Sequence, residues 1–192
     1  MDDCRAGCLA SFEEPARQVM KGFLIMNVRW LMKSDLDMVL AIDMCVREYP
    51  TDREALVEFL SMRNAIGIVA ESDNMVAGYC LYRIFHGHIF LDDLAVLPEC
   101  QRQGVGTTLA NKMKSKLTGK RRKMLVINVR ETNLKAQLFF KSMGFNCDFT
   151  YKGFYGEDVD AIEDAYRFVY APAKKWSPVN RIASLVNQNE ET

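Results

Sequence analysis

The sequence lacks a surplus of either charge. Its 192 residues include 25 lysines and arginines and 25 aspartates and glutamates. Proteins whose main partner is a nucleic acid or an anionic membrane usually carry a basic surplus. We therefore expect no nucleic acid and no membrane among the partners of this chain.

Long hydrophobic runs are missing as well. The apolar stretch at 19–31 is interrupted by Lys21, Asn27 and Arg29, and it is shorter than the roughly 18 residues that a membrane helix needs. The extreme N-terminus is acidic, whereas a secretory signal begins with basic residues. These absences predict a cytoplasmic protein.

The chain has few metal-binding side chains in useful arrangements. None of its six cysteines forms a Cys-x-x-Cys pair, and it has two histidines, His86 and His88. Cys4 and Cys8 are spaced by one helical turn but have no histidine nearby in the sequence. We expect reduced thiols and no metal site.

What remains is the composition of one globular domain, 49% hydrophobic and 26% charged. Residues 1–25 show no sustained period, so we interpret them as a mobile N-terminal extension. Residues 172–192 are polar, contain Pro178, and are interpreted as a C-terminal tail. The folded domain is then predicted at 26–171.

The first half of this domain predicts a strand, two helices and an antiparallel meander. A strand spans 27–32, Ser34 is the expected N-cap of a first helix, and Thr51 with Glu54 forms the capping box of a second. Three segments of alternating apolar and polar residues follow, at 66–70, 75–85 and 88–96, and they predict the strands of the meander.

The second half predicts a strand crossover and a closing hairpin. Apolar residues from Val105 to Leu117 repeat with a helical period, and 124–129 has the composition of a buried strand. Asn133 begins another helix that Gly144 ends, and strands follow at 145–151 and 165–170. The predicted fold class is α/β, with a mixed, mostly antiparallel sheet of six to seven strands and about four helices.

The segment between the third meander strand and the next helix has the features of an anion site. Small residues at Gly104 and Gly106 let a ligand approach the backbone, the helix N-terminus offers free N–H groups, and Arg102 adds positive charge. The segment is not a Walker loop, because no Gly-Lys-Ser/Thr follows, and Leu109 replaces the third glycine of a dinucleotide fingerprint. A pyrophosphate is the natural occupant, and a tight packing turn is the alternative.

The segment Gln101-Arg102-Gln103-Gly104-Val105-Gly106 resembles the acetyl-CoA loop of the GCN5-related N-acetyltransferases. The order of elements is similar too. Further motifs resemble those of the branch that acetylates ribosomal-protein alanine and other protein N-termini: Asn128-Val129-Arg130-Glu131-Thr132-Asn133, Phe139-Phe140-Lys141-Ser142-Met143-Gly144-Phe145, Phe154-Tyr155 and Glu163-Asp164-Ala165-Tyr166. The resemblance covers about residues 27–170.

The resemblance implies acetyl-CoA as cosubstrate and gives the residues that bind it. The backbone of Leu94, Ala95 and Val96 contacts the thioester carbonyl and pantetheine. Asn133 contacts the cofactor arm, and N-capping of its own helix is an alternative role. The pyrophosphate is held by Gln101, Arg102, Gln103, Gly104, Val105, Gly106 and Thr107.

The acid and base of the branch are missing. Its glutamate and tyrosine correspond to Asn128 and Phe140, which neither accept nor give a proton at neutral pH. A base position of related enzymes falls at Phe90, which is equally inert. Asp92 lies two residues further on and matches an acidic residue of polyamine acetyltransferases, so it is the candidate base, acting through water beside Asp93.

The two aspartates and Tyr155 each have an alternative role. One aspartate binds the substrate ammonium or caps a turn instead of acting as base. Tyr155 resembles a tyrosine of the substrate-side hairpin and is the candidate for acceptor contact and for protonation of the thiolate, with rim packing as its other role.

The sequence thus predicts an acetyl-CoA-dependent N-acetyltransferase that acts by direct attack of an amine on the thioester. The resemblance favours a protein or peptide N-terminal amine as acceptor. A small polyamine-like amine and a catalytically silent CoA-binding module are the alternatives.

Overall fold

The computed structural model describes residues 26–72, 75–155 and 162–172. The predicted N-terminal extension and the tail beyond residue 172 lie outside these ranges. No helix in the described part of the chain is long and apolar enough to cross a membrane.

Seven strands and four α-helices make up the described fold, which confirms the predicted α/β class. The strands are β1 (Asn27–Trp30), β2 (Ala65–Ser72), β3 (Met75–Ile84), β4 (Gly87–Val96), β5 (Arg122–Arg130), β6 (Asn146–Tyr155) and β7 (Glu163–Tyr170). The helices are α1 (Leu36–Val46), α2 (Arg53–Ser61), α3 (Val105–Ser115) and α4 (Leu134–Ser142), with single 3₁₀ turns at Lys33–Asp35 and Pro98–Cys100.

The strands form one sheet in the order β1-β2-β3-β4-β5-β7-β6. Neighbouring strands are antiparallel except β4 and β5, which are parallel and joined by the α3 crossover. The central pair of the sheet therefore has its carboxyl ends at one edge, next to the N-terminus of α3.

Helices α1 and α3 pack on opposite faces of the sheet. Tyr79 of β3 contacts Asp43 of α1, whereas Gly78 of the same strand faces Val105 of α3. Adjacent residues of a strand point to opposite faces, so the two contacts define the two layers. We call the face covered by α1 and α2 the α1/α2 face.

Two predicted helix caps were wrong by one residue. Ser34 lies inside the 3₁₀ turn, and α1 follows Asp35, whose carboxylate accepts the Met32 N–H at 2.7 Å and pairs with Arg29. Asp52, and not Thr51, caps α2 by accepting the Ala55 N–H at 2.6 Å. Asp35 makes no side-chain cap to α1, because its carboxylate bonds the Met32 N–H and Arg29, whereas at α2 the Asp52 carboxylate is a stronger acceptor than the Thr51 hydroxyl.

The two predicted ends of α4 are confirmed. Asn133 accepts the Ala136 N–H at 3.0 Å, and Gly144 follows the helix with a φ of 80°. This left-handed conformation favours glycine and ends the helix.

Candidate active site

Strands β4 and β5 separate halfway along their length. They pair from Gly87 and Arg122 as far as Leu91 and Ile127. Beyond that point β4 remains paired only with β3, and β5 only with β7. The edge of β4 that faces β5 is open at Leu94–Val96, so backbone groups there are available to a ligand.

A bulge in β4 brings two carboxylates to the same face. Leu81 pairs with Asp93 and Tyr82 pairs with Leu91, which leaves Asp92 without a partner in the register. Consecutive residues of a regular strand point to opposite faces, but here both aspartates line one pocket of about 210 Å³. The rest of its wall comes from the α1/α2 face and β3: Arg47, Thr51, Ala55, Leu56, Phe59 and Leu81.

Asp92, the candidate base, is held by an arginine. Arg83 Nε lies 3.0 Å from each oxygen of the Asp92 carboxylate, and its Nη2 donates to the same group. Burial raises the pKa of Asp92, and the ion pair with Arg83 opposes this rise. The base role of Asp92 stays a prediction.

Asp93 belongs to a more deeply buried cluster that the sequence reasoning missed. Tyr79 Oη lies 2.5 Å from Asp93 Oδ2 and 2.7 Å from Asp43 Oδ1. Arg47 forms ion pairs with both carboxylates. The one sequence signal was the i, i+4 spacing of Asp43 and Arg47, which is typical of ordinary helix-surface pairs.

Burial raises the pKa of Asp93, and the neighbouring charge of Asp43 raises it further, while Arg47 and the Tyr79 hydroxyl lower it. Burial and the two carboxylates also raise the pKa of Tyr79, which keeps its hydroxyl protonated. The cluster therefore joins a rigid hydrogen-bonded core to the pocket lined by Asp93.

Tyr155 lies across the gap from these aspartates. Its hydroxyl is 3.5 Å from the backbone oxygen of Asn128 on β5, and the Arg130 guanidinium lies 4.2 Å from its ring centre. Arg130 also bonds Glu163 at 3.0 Å and faces Tyr49 of the α1–α2 loop at 5.8 Å. Arg130 thus links that loop to the β6–β7 hairpin.

Burial raises the pKa of Tyr155, although Arg130 and Arg47 lower it. The phenol therefore keeps its proton at neutral pH and is able to donate it.

The two positions where the branch has its acid and base take different environments here. Phe140 is buried between the rings of Phe139 and Phe145 and belongs to the core. The Asn128 side-chain oxygen is buried and has no hydrogen-bond partner within the described part of the chain.

The predicted pyrophosphate segment enters α3 through two left-handed residues. Arg102 has a φ of 62° and Gly104 a φ of 89°. No side chain caps α3, so N–H groups of its first turn are free for an anion. Gly106 lies against Phe139, 3.3 Å from where a Cβ would be placed, so this glycine lets the start of α3 pack closely on α4.

The other members of the predicted set hold this segment in place. Gln101 Nε2 donates to the Val96 oxygen at 3.1 Å, and Gln103 Nε2 donates to the Glu99 oxygen at 2.7 Å. Val105 is buried, so only its backbone is available, whereas Thr107 is exposed. Asn133 uses its Oδ1 as an N-cap, which is the alternative role expected for it.

The family model of the acetyltransferase (GNAT) family matches residues 36–145, from α1 to the end of α4. This match spans more than half of the chain. The chain belongs to the GNAT acetyltransferase family.

Relatives agree with this assignment. An N-acetyltransferase of Methanocaldococcus jannaschii is 30% identical over 138 residues, which cover 71% of this chain and 88% of the relative. The Escherichia coli ribosomal-protein-S18-alanine N-acetyltransferase is similar in structure, with a TM-score of 0.64, 19% identity and coverage of 80% of this chain and 100% of that one. Arabidopsis thaliana NAA60, solved with acetyl-CoA, gives a TM-score of 0.67 at 18% identity, covering 77% and 99%.

As a GNAT member, the chain is an N-acetyltransferase, and acetyl-CoA is its cosubstrate, as predicted. The open edge of β4 and the uncapped start of α3 fit such a cosubstrate. The alternative of a silent CoA-binding module loses its support.

Proposed function

We propose that this GNAT enzyme acetylates the N-terminal amine of a protein or peptide. The observation that carries the proposal is the position of Tyr155. It stands beside the β4–β5 gap on the β6–β7 hairpin and is linked through Arg130 to Tyr49 of the α1–α2 loop. Two elements thus form walls for an extended acceptor, and the pocket lined by Asp92 and Asp93 reaches the same α1–α2 loop at Thr51.

The similarity to an alanine acetyltransferase of ribosomal protein S18 and to NAA60, which was solved with a bisubstrate analogue, supports the same acceptor class. In the proposed reaction, bound acetyl-CoA supplies the thioester. The Leu94–Val96 backbone stabilises the oxyanion, and residues 101–107 with Asn133 hold the cosubstrate. Asp92 removes a proton through water, and Tyr155 contacts the acceptor and protonates the thiolate.

A small cationic amine is the second candidate. The carboxylates of Asp92 and Asp93 favour it, because they place negative charge in the acceptor pocket.

The test is release of CoA thiol from acetyl-CoA with two separate acceptor pools, free-N-terminus peptides and small amines including polyamines. We expect turnover with the peptides, and mass spectrometry should locate the acetyl group on the α-amine. Peptides with a blocked N-terminus and an internal lysine are the control. Turnover confined to the small amines overturns the proposal.

A second part of the experiment tests the role of Tyr155. Tyr155→Phe should lower kcat/KM for the peptide by about tenfold, the loss expected for one hydrogen bond in the transition state. Tyr151→Phe, on the same strand but directed at Arg167, is the matched control and should keep the wild-type value.

A further inference from the structure

The Tyr79 hydroxyl has more acceptors than it has protons. Its oxygen is within 2.7 Å of both the Asp43 and the Asp93 carboxylates. A phenol donates one proton, and two ionised carboxylates contribute none. The phenol therefore donates to one of these carboxylates at a time, and the other oxygen pair becomes a hydrogen bond only when a carboxylate takes up a proton.

Geometry indicates which carboxyl carries it. Asp43 accepts from Arg47 Nε at 2.6 Å and from the Thr51 N–H at 2.6 Å, and both donors stabilise its charged form. Asp93 has Arg47 and Tyr79 as its donors. One guanidinium cannot neutralise two carboxylates, so the cluster keeps one negative charge until Asp93 takes up a proton.

Asp93 is also the member of the cluster that a substrate can reach. Its side chain keeps 12% of its surface exposed, against 2% for Asp43, and it lines the pocket on the acceptor side. The next residue along β4 is Leu94, where the open edge of the strand begins to face the proposed thioester site. A proton accepted by Asp93 thus comes from the space where the amine binds.

The other groups near Asp93 belong to β3, β4 and α2. Asp92 is beside it on β4 and is paired with Arg83 of β3. The buried Cys80 thiol lies on the opposite face of β3, and α2 contributes the apolar side chains of Ala55, Leu56 and Phe59 to the pocket wall. The charged partners that set the behaviour of Asp93 are then Asp43 and Arg47 of α1, together with the Tyr79 hydroxyl of β3.

We propose that Asp93 is a proton acceptor of the reaction in addition to Asp92, and that Tyr79 and Asp43 are positioning residues that tune its proton affinity. The inference rests on the proposed acceptor side of the site. The acceptor ammonium gives one proton to the Asp93 carboxylate. The neutral amine then forms the C–N bond, and its second proton passes through water to Asp92. The C–S bond breaks, and Tyr155 protonates the thiolate. Asp92 and Asp93 finally release their protons to solvent, and Tyr155 takes one back from it.

The test uses two substitutions with opposite expected effects on the acidic limb of the kcat profile. Tyr79→Phe removes a donor to the Asp93 carboxylate, so its pKa rises and the limb moves to higher pH. Asp43→Asn removes a neighbouring negative charge, so its pKa falls and the limb moves to lower pH. Asp93→Asn should lower kcat by about 100-fold, as for loss of a general base.

The control is Tyr82→Phe, a second buried tyrosine of β3 on the opposite face, which should keep the wild-type profile. All enzymes are compared on one acceptor, so ionisation of the amine is common to them. Limbs that do not move, or that move in the same direction in both variants, overturn the proposal.

A second measurement needs no acceptor and separates this proposal from the proposed function. Carboxyl ¹³C NMR of the protein alone follows the titration of Asp93, identified by loss of its signal in Asp93→Asn. We expect it to titrate above the ordinary aspartate value of about 3.9 and to shift in opposite directions in the two variants. Titration at or below that value overturns the proposal, whichever acceptor the enzyme uses.

Discussion

Arg102 is the one non-glycine residue with a positive φ within the described ranges. A left-handed conformation costs a residue with a Cβ about 1–2 kcal/mol, and such strain tends to persist where a ligand needs the local geometry. Here it occurs in the segment before α3, where Arg102 is exposed and directed away from the core. The strain and the charge together support an anion-binding role.

Arg102→Gly should separate these two properties. Glycine relieves the strain, so the free energy of unfolding should not fall, although glycine adds entropy to the unfolded chain. Loss of the charge should raise the Kd for acetyl-CoA about tenfold, the loss of one charge-assisted hydrogen bond. Calorimetry measures the Kd for acetyl-CoA, and urea denaturation measures the free energy of unfolding. Arg102→Lys is the control that keeps the charge. An unchanged Kd contradicts the role of the arginine.

At the scale of single residues, sequence reasoning found the groups that a family motif marks and missed those that only the fold brings together. Tyr79 and Arg47 are 32 positions apart and meet because α1 packs on β3. Neither lies in a motif, and a tyrosine in a strand and an arginine at a helix end are ordinary in those places. The Asp43–Tyr79–Asp93 contacts could not be predicted without the tertiary structure.

At the scale of elements, the order of strands and helices was predictable, because hydrophobic period and turn residues mark them locally. The bulge in β4 could not be predicted in this way. Regular alternation places Asp92 on the face of Phe90 and Asp93 on the other, yet both aspartates line the same pocket. The bulge lies where the pairing of β4 with β5 ends, at Leu91, and no local composition marks that point.

A substitution at Gly78 tests whether the position of β4 matters for cosubstrate binding. A Cβ on this β3 residue would lie 2.8 Å from the Ala95 backbone oxygen and 3.0 Å from Val105. Gly78→Ala should therefore displace the open part of β4 or the start of α3. We expect a loss of about 1–3 kcal/mol in the free energy of unfolding and a higher KM for acetyl-CoA.

Gly87→Ala is the matched control on β4 itself. A Cβ there meets no atom within 4 Å, although the φ of 95° strains it. It should lower stability by about 1 kcal/mol and leave the KM for acetyl-CoA unchanged, because Gly87 lies at the far end of the strand. Equal effects of the two variants on KM would show that general destabilisation, and not the position of Ala95, is responsible.

At the scale of the whole molecule, buried carboxylates act on stability in two opposite ways. Arg29 and the Met32 N–H hold the pKa of Asp35 below its usual value, so its contribution is present above about pH 4 and lost as the pH falls. Burial raises the pKa of Asp93, so the folded state binds its proton more tightly than the unfolded chain does. Its contribution therefore declines as the pH rises from about 4 through the raised pKa.

Asp35→Asn and Asp93→Asn should consequently change the free energy of unfolding in opposite directions at neutral and alkaline pH. The first should lower the free energy of unfolding at pH 7 by about 1–3 kcal/mol, with a deficit that shrinks as the pH falls below about 4. The second should gain stability relative to the native protein as the pH rises from 5 to 8, because the native protein must ionise a buried group and the variant does not. Urea denaturation from about pH 3 to pH 8 measures both differences. A gain for Asp93→Asn at alkaline pH, combined with its loss of turnover, is the pattern of a residue kept for chemistry at the expense of stability. If Asp93→Asn instead loses stability as the pH rises, the ionised aspartate stabilises the fold, and its role is structural.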